Sequence, residues 1–279
     1  GWRTNFDERG REIARLYFGA GGQPVPHRDG NAGWNATFDD LGNRTGYLYI
    51  DIKGRPVLQK DGVAGWRSEY DERRRETRRR FFGIDREPVL HKDGNAGWNA
   101  TYDELGNEVE HVHVGIDKLP VQSPEGFCSW KAKFDQRGRE IERSFHGADG
   151  APTIQHEGIA LWRTDFNERG RAIARRFFGV NGAPAFHKDG FSGWNAKCDE
   201  LGNMTEYLYI GLDEKTVLQK DRIAGWRSEH DERQREIRRR CFGADGKVVL
   251  HKDGFAGWNA MYDAHGNQIE RAYVGVDWL

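Results

Sequence analysis

The stretch Gly97–Asn107 reads GWNATYDELGN, and variants of it recur along the whole chain. GWRSEYDERRR stands at Gly65–Arg75, GWNAKCDELGN at Gly193–Asn203 and GWNAMYDAHGN at Gly257–Asn267. Within the first stretch Trp98, Ala100 and Tyr102 alternate with Asn99, Thr101 and Asp103. A period of two marks a half-buried β-strand. Glu104, Leu105, Gly106 and Asn107 then supply a turn, with Gly106 free to take a positive φ. A second alternating segment runs from Glu108 to Val114. The unit is a β-hairpin.

The hairpin returns with a period of 32 residues and no insertion or deletion. Steps of that length from Trp2 land on Trp34, Trp66, Trp98, Trp130, Trp162, Trp194, Trp226 and Trp258. Nine of the ten tryptophans thus fall in one column. Repeats begin at residues 1, 33, 65, 97, 129, 161, 193, 225 and 257, so residues 1–279 read as a single array. Blocks 1–128 and 161–279 are near duplicates, and the unit 129–160 between them is the odd one. Neither end carries the polar capping unit that solenoids use, so the chain reads as a piece of a longer array. The expected fold class is all-β: an open tandem-repeat β-hairpin solenoid.

Composition fits that picture. The chain has 43 basic and 44 acidic residues and a formal charge of −1, which argues against general nucleic-acid binding. Only 37% of residues are hydrophobic, yet 10 Trp, 15 Phe and 9 Tyr exclude plain disorder. The three cysteines lie too far apart for a disulfide framework. No apolar run is long enough for a membrane span.

Charges fix the hairpin register. With the fifth and fourteenth positions of each repeat facing each other, Glu69–Arg78, Lys133–Glu142, Lys197–Glu206 and Glu229–Arg238 become opposite-charge pairs. No like-charge pair arises at this position. Directly opposed residues behave that way, each pair contributing ~0.2–1 kcal/mol. The same register sets Trp2 against Tyr17, Phe6 against Ile13 and Ala100 against His111. The tryptophan column then shares one face with a second aromatic column, and that face is the expected core. The segment Gly243–Ala256, GADGKVVLHKDGFA, predicts two turns around a third short strand or extended crossover. A single helical turn at the proline column is the other option.

Tyr102-Asp103-Glu104-Leu105-Gly106-Asn107 and Tyr262-Asp263-Ala264-His265-Gly266-Asn267 resemble the YD-x-x-G core of bacterial YD (RHS-type) repeats. The aromatic and glycine spacing is also similar to MORN repeats. Both resemblances imply stacked β-hairpins without catalysis of their own. The shared motif covers about six residues per repeat.

Side chains that could carry chemistry repeat too regularly to form one unique site. The pair seen at Asp7-Glu8 and Asp231-Glu232 recurs in most repeats, commonly beside a turn glycine, where Asp holds its own turn. Asp245 and Asp253 invite a calcium reading, yet turn chemistry accounts for them. His27, His91, His187 and His251 share a column in alternate repeats. Rungs ~10 Å apart put them too far apart to share a zinc ion. His111 and His113 replace Tyr47 and Tyr49. Cys198, His230 and Cys241 replace core aromatics, and the register keeps the last two ~13 Å apart. The expectation is no cofactor, no metal and no catalytic centre.

Two binding readings remain. One is a scaffold with a protein partner, in which Arg67–Arg80, Arg163–Arg176 and Arg227–Arg240 form a basic stripe for an acidic or anionic surface. The other is a carbohydrate- or cell-wall-binding array that uses exposed aromatics. An RHS-like structural shell segment is what the family resemblance adds.

Overall fold

A computed structural model of the chain describes residues 1–277. Gly97–Tyr102 and Glu108–Val114 form the expected antiparallel pair, with Trp98 opposite His113 and Ala100 opposite His111. Every repeat builds the same hairpin, giving 18 strands among the described residues, and no helix. Successive hairpins bond edge to edge; Arg78, Arg79 and Arg80 pair with Asn99, Trp98 and Gly97. The chain is an all-β, open tandem-repeat β-hairpin solenoid. It divides into two compact units: Gly1–Lys131 with His146–Ala151, and Ala132–Phe145 with the residues from Pro152 onward.

The charge-derived register holds at Glu69↔Arg78, Lys197↔Glu206 and Glu229↔Arg238. It fails one step further along. Phe6 faces Glu12, not Ile13, because a β-bulge follows Asn5, and the other paired hairpins shift at the same place. The turn imposes this. Asp7 N donates to Arg11 O at 3.0 Å and Gly10 N to Asp7 O at 3.0 Å, a tight closure that leaves Ile13 as the extra residue.

Aspartate holds each turn from inside. Asp71 Oδ1 accepts the Arg75 amide at 2.9 Å while its Oδ2 accepts Arg75 Nε at 2.7 Å. Asp103 does the same with Asn107, at 2.8 Å to the amide and 2.8 Å to Nδ2. The arginine then reaches onward: Arg75 Nη1 donates to Asp103 O at 2.9 Å, and its guanidinium lies 4.7 Å from the centre of the Tyr102 ring. Tyr102 in turn donates its hydroxyl back to Glu76 O at 2.9 Å. The YD-x-x-G motif therefore closes one turn and ties it to the preceding rung.

The segment between hairpins carries no further strand or helix. It is an extended crossover with two turns, Gly83 N to Glu87 O at 2.9 Å and His91 N to Asn95 O at 2.7 Å, around a single bridge between Phe82 and Pro88. Ala96, 1% exposed, fastens it by accepting from Phe81 N and donating to Val114 O. Small residues stand there because two hairpins meet: a Cβ on the neighbouring Gly97 would lie 2.0 Å from Arg79 O.

Burial is shared between two faces. One carries the tryptophans, buried alanines such as Ala36 and Ala100, and crossover residues such as Ile159 and Phe191 that pack on Phe177. The other carries a row including Ile50, Phe82, Val114 and Ile210, all nearly buried.

Two outcomes follow. Gln234 occupies the turn-glycine place with φ of 63°, a left-handed conformation that disfavours side chains. Gln234→Gly should stabilise the fold against urea by about 1 kcal/mol. Arg74, at φ 66°, also hydrogen-bonds Asn43, so Arg74→Gly should gain less. The turn aspartates set the acid limit. Hydrogen bonds from the Arg139 side chain and amide hold Asp135 down to about 2, and those from Arg75 and Arg235 lower Asp71 and Asp231. These folded values lie below the unfolded value of ~3.9. Their contribution is therefore complete above about pH 4 and lost as pH falls toward the folded values. Thermal melting should be flat from neutral pH to about 5 and fall steeply below about 4. Asp135→Asn, copying natural Asn167, should lessen that fall.

Candidate functional site

The tryptophan column is an interleaved stack. Tyr47 lies between Trp34 and Trp66, with ring centres 5.1 and 6.0 Å away. One rung on, the filler is a cation: the Arg79 guanidinium sits 4.2 Å from the Trp66 ring centre and 5.8 Å from that of Trp98. His111 then fills the gap from Trp98 to Trp130, at 5.1 and 5.8 Å. The second unit repeats the scheme with Tyr207 between Trp194 and Trp226, and Arg239 between Trp226 and Trp258. Glu76 grips Arg79 edgewise with two bonds of 2.8 and 2.9 Å, and Glu236 grips Arg239 likewise. Burial pushes the Tyr47 and Tyr207 hydroxyls well above the ordinary tyrosine value. Trp34 and Trp258 are nearly buried, Trp2 is exposed, and Trp66, Trp98, Trp130, Trp162, Trp194 and Trp226 are intermediate. Both faces of the sandwiched indoles are occupied, so they offer no free platform for a sugar ring.

The arginine pairs stand directly opposed: Arg67 faces Arg80, Arg163 faces Arg176 and Arg227 faces Arg240. They are not equivalent. Arg80 reaches across to the next hairpin, donating to Trp98 O and Asn99 Oδ1, both at 2.7 Å. Arg176 and Arg240 treat Trp194 with Asn195, and Trp258 with Asn259, in the same way. In three of the four GWN repeats the asparagine thus receives the arginine of the preceding rung; Asn35 follows Leu16 and receives none. Burial lowers the proton affinity of Arg80 and Arg240. Arg163 and Arg227 instead donate Nε to Glu142 and Glu206, each at 2.6 Å. Lys133 and Lys197 hold the other oxygen of those carboxylates, each at 2.7 Å. Burial raises both glutamates, but these partners outweigh it and the net direction is down. Arg67 alone among the six makes neither a carboxylate pair nor an asparagine bridge among the described residues.

The histidine column belongs to the crossover turns. His91 lies 3.1 Å from Asp93 and 3.6 Å from Asp61 of the preceding rung, and His187 lies 2.7 Å from Glu157. His111 and His113 pack edge to face, 5.0 Å between centres, as do Tyr47 and Tyr49 at 5.0 Å. His111 Nδ1 is 2.8 Å from Glu108 Oε1. No cluster of three metal-ligating side chains occurs among the described residues. His230 pairs with Glu236 and Cys241 with Trp226, at separate levels of one hairpin. Cys198, Cys241 and Cys128 are free thiols, and burial raises the last two.

One feature escaped the reading of the sequence. The crossovers present exposed apolar rows: Ile52, Ile84 and Ile116 in the first unit; Ile154, Phe186, Leu218 and Leu250 in the second. The latter four are 44–53% exposed. Each set is spaced by the same 32 residues as the tryptophans, so the signal was present as two columns. It was masked because apolar residues in a turn-rich segment read as core.

No protein-family model matches the chain, and no curated protein matches it. Among solved structures, the chain is similar to the crystal structure of TcdB2-TccC3, with 11% identity and a TM-score of 0.37 over 96% of its length. A form of TcdB2-TccC3 without the hypervariable C-terminal region gives 9% identity and a TM-score of 0.31. The Photorhabdus luminescens Tc holotoxin pore with a mutated TccC3 gives 12% and 0.26. The chain spans 14–18% of the length of these three proteins. Similarity at this level carries no argument about activity.

Proposed function

We propose that the chain is a non-enzymatic scaffold that binds a protein partner along Ile154, Phe186, Leu218 and Leu250. The observation that carries this reading is the row itself: four successive rungs each expose one large apolar side chain at the same place. Monomeric surfaces rarely repeat such exposure without a use for it. Rungs of two strands are ~9.6 Å apart. A helix with an apolar residue every seventh position rises ~10.5 Å per heptad, so an amphipathic helix is the partner that fits the spacing best.

The reactive side chains support the absence of catalysis. Aspartates close turns, glutamates grip stacked arginines, and histidines pair with turn carboxylates. A second reading, a structural shell segment, draws on the same saturation: most of the charged side chains bond within their own rung or to the next. The carbohydrate reading has less support, since the sandwiched indoles have no free face.

Photo-crosslinking separates these readings. A photoreactive residue at Leu218 of the protein, expressed in its own cell, should give a discrete protein adduct. The same residue at exposed Lys247 should not. Substituting Asp at Ile154, Phe186 and Leu250 should abolish the adduct while leaving melting within a few degrees. Equal labelling at both places, or an adduct indifferent to the aspartates, would remove the row from the account.

A further inference from the structure

The pairing between hairpins follows a rule with one exception. Where the residue after the repeat tryptophan is basic and pairs with the preceding rung, its partner across the strand edge is a glutamate: Glu110 faces Lys131, Glu142 faces Arg163 and Glu206 faces Arg227. All three form ion pairs, at 3.3, 2.6 and 2.6 Å. Arg67 faces Gly46 instead. A cavity of about 530 Å³ lies at this place, lined by Thr37, Gly46, Leu48, Arg67, Phe82 and Arg86 among others.

The near-duplicate block shows what fills the corresponding space. There the sequence has Lys197, Glu206, Leu208, Arg227 and Phe242 where the first has Thr37, Gly46, Leu48, Arg67 and Phe82. Glu206 passes its carboxylate between Lys197 and Arg227, and Arg227 lies 4.5 Å from the Phe242 ring centre. In the first block the arginine still lies over its phenylalanine, Arg67 at 5.4 Å from the Phe82 ring centre, but the carboxylate is gone. Arg86 adds a second guanidinium to the cavity wall, and its counterpart in the other block is Gly246. Neither Arg67 nor Arg86 has a carboxylate partner among the described residues. Glu69, the acid in the cavity wall, is engaged by Arg78 at 2.9 Å.

We infer that this cavity binds the carboxylate side chain of a glutamate on a partner peptide, which supplies in trans what Glu206 supplies in cis. A glutamate fits better than a bare anion, because Leu48 and Phe82 give the cavity an apolar wall against which its methylene arm would lie. Gly46 has ordinary backbone, and a Cβ there would lie 2.7 Å from Thr37 Oγ1, a side-chain atom that can rotate away, and 3.6 Å from Trp66 O, an ordinary contact. The place can therefore hold a side chain, and its vacancy is a matter of sequence. This site is separate from the apolar row of the second unit, and either can fail without the other.

The test uses nitrogen-15 arginine spectra of the whole chain. The Arg67 Nε–Hε signal should shift on titration with a short, blocked Gly/Ser peptide bearing one central Glu. The same peptide with Gln should bind up to about fivefold more weakly, the factor a partly exposed ion pair supports. Gly46→Glu should abolish binding by supplying an internal carboxylate, and Arg67→Gln should abolish it by removing the fork. If Gly46→Glu alone melts early, the pair Thr37→Lys with Gly46→Glu rebuilds the Lys197–Glu206 arrangement and should bind no peptide. Three results would overturn the inference: no shift with the Glu peptide, equal binding of the Gln peptide, or binding that survives the internal glutamate. Equal shifts with free acetate or inorganic phosphate at the same concentration would do so too, since they would show a bare-anion site.

Discussion

Everything in this array depends on filling the gap between one tryptophan and the next. Rungs of a two-stranded repeat stand ~9.6 Å apart, too far for two indoles to touch, and a ring needs a partner at about half that distance. The residue across the strand from the small residue two after each tryptophan fills the space, as Arg79 does between Trp66 and Trp98 and Tyr47 between Trp34 and Trp66. Flat aromatic rings and a flat guanidinium meet the same geometric demand. A cation–π contact at a partly exposed site is worth ~0.5–1 kcal/mol, and more when desolvated.

This stack explains why so many charges are compatible with a narrow core. An arginine in an aromatic column needs a carboxylate beside it, and Glu76 and Glu236 provide one three residues earlier on the same strand. Arg175 is the variant case. Ala172 stands in the glutamate place, and Arg175 donates to Thr164 Oγ1 at 2.9 Å instead. Burial lowers its proton affinity. The turn arginines use the same device at the hairpin tips, where Arg75 covers Tyr102. Charge in this protein is mostly cement between rungs, which leaves the apolar rows and the Gly46 cavity as the departures from pattern.

Much of the fold was legible from GWNATYDELGN and its copies. Strand pattern, turn glycine, period and register came from local alternation and from charge pairs such as Glu69–Arg78. The bulge at Ile13 was not, because alternation alone continues through the turn-adjacent residues, and only the closure between Asp7 and Arg11 displaces it. Arg79 was not placed in the aromatic stack, since its charge reads as solvent-facing. The arginine stripe was legible as opposed pairs, but the destinations of Arg80, Arg176 and Arg240 were not. Those depend on how one hairpin abuts the next, a register set by the crossover turns. The exception at Gly46 became visible only once that register was known.

The stack is tested most directly by a double-mutant cycle between Arg239 and Trp226, whose groups approach to 3.9 Å. Arg239→Met and Trp226→Leu, singly and together, would be compared by urea unfolding of the same chain. The account predicts a coupling of about 1 kcal/mol, with each single change costing more than it does in the background of the other. Strict additivity of the two substitutions would contradict it.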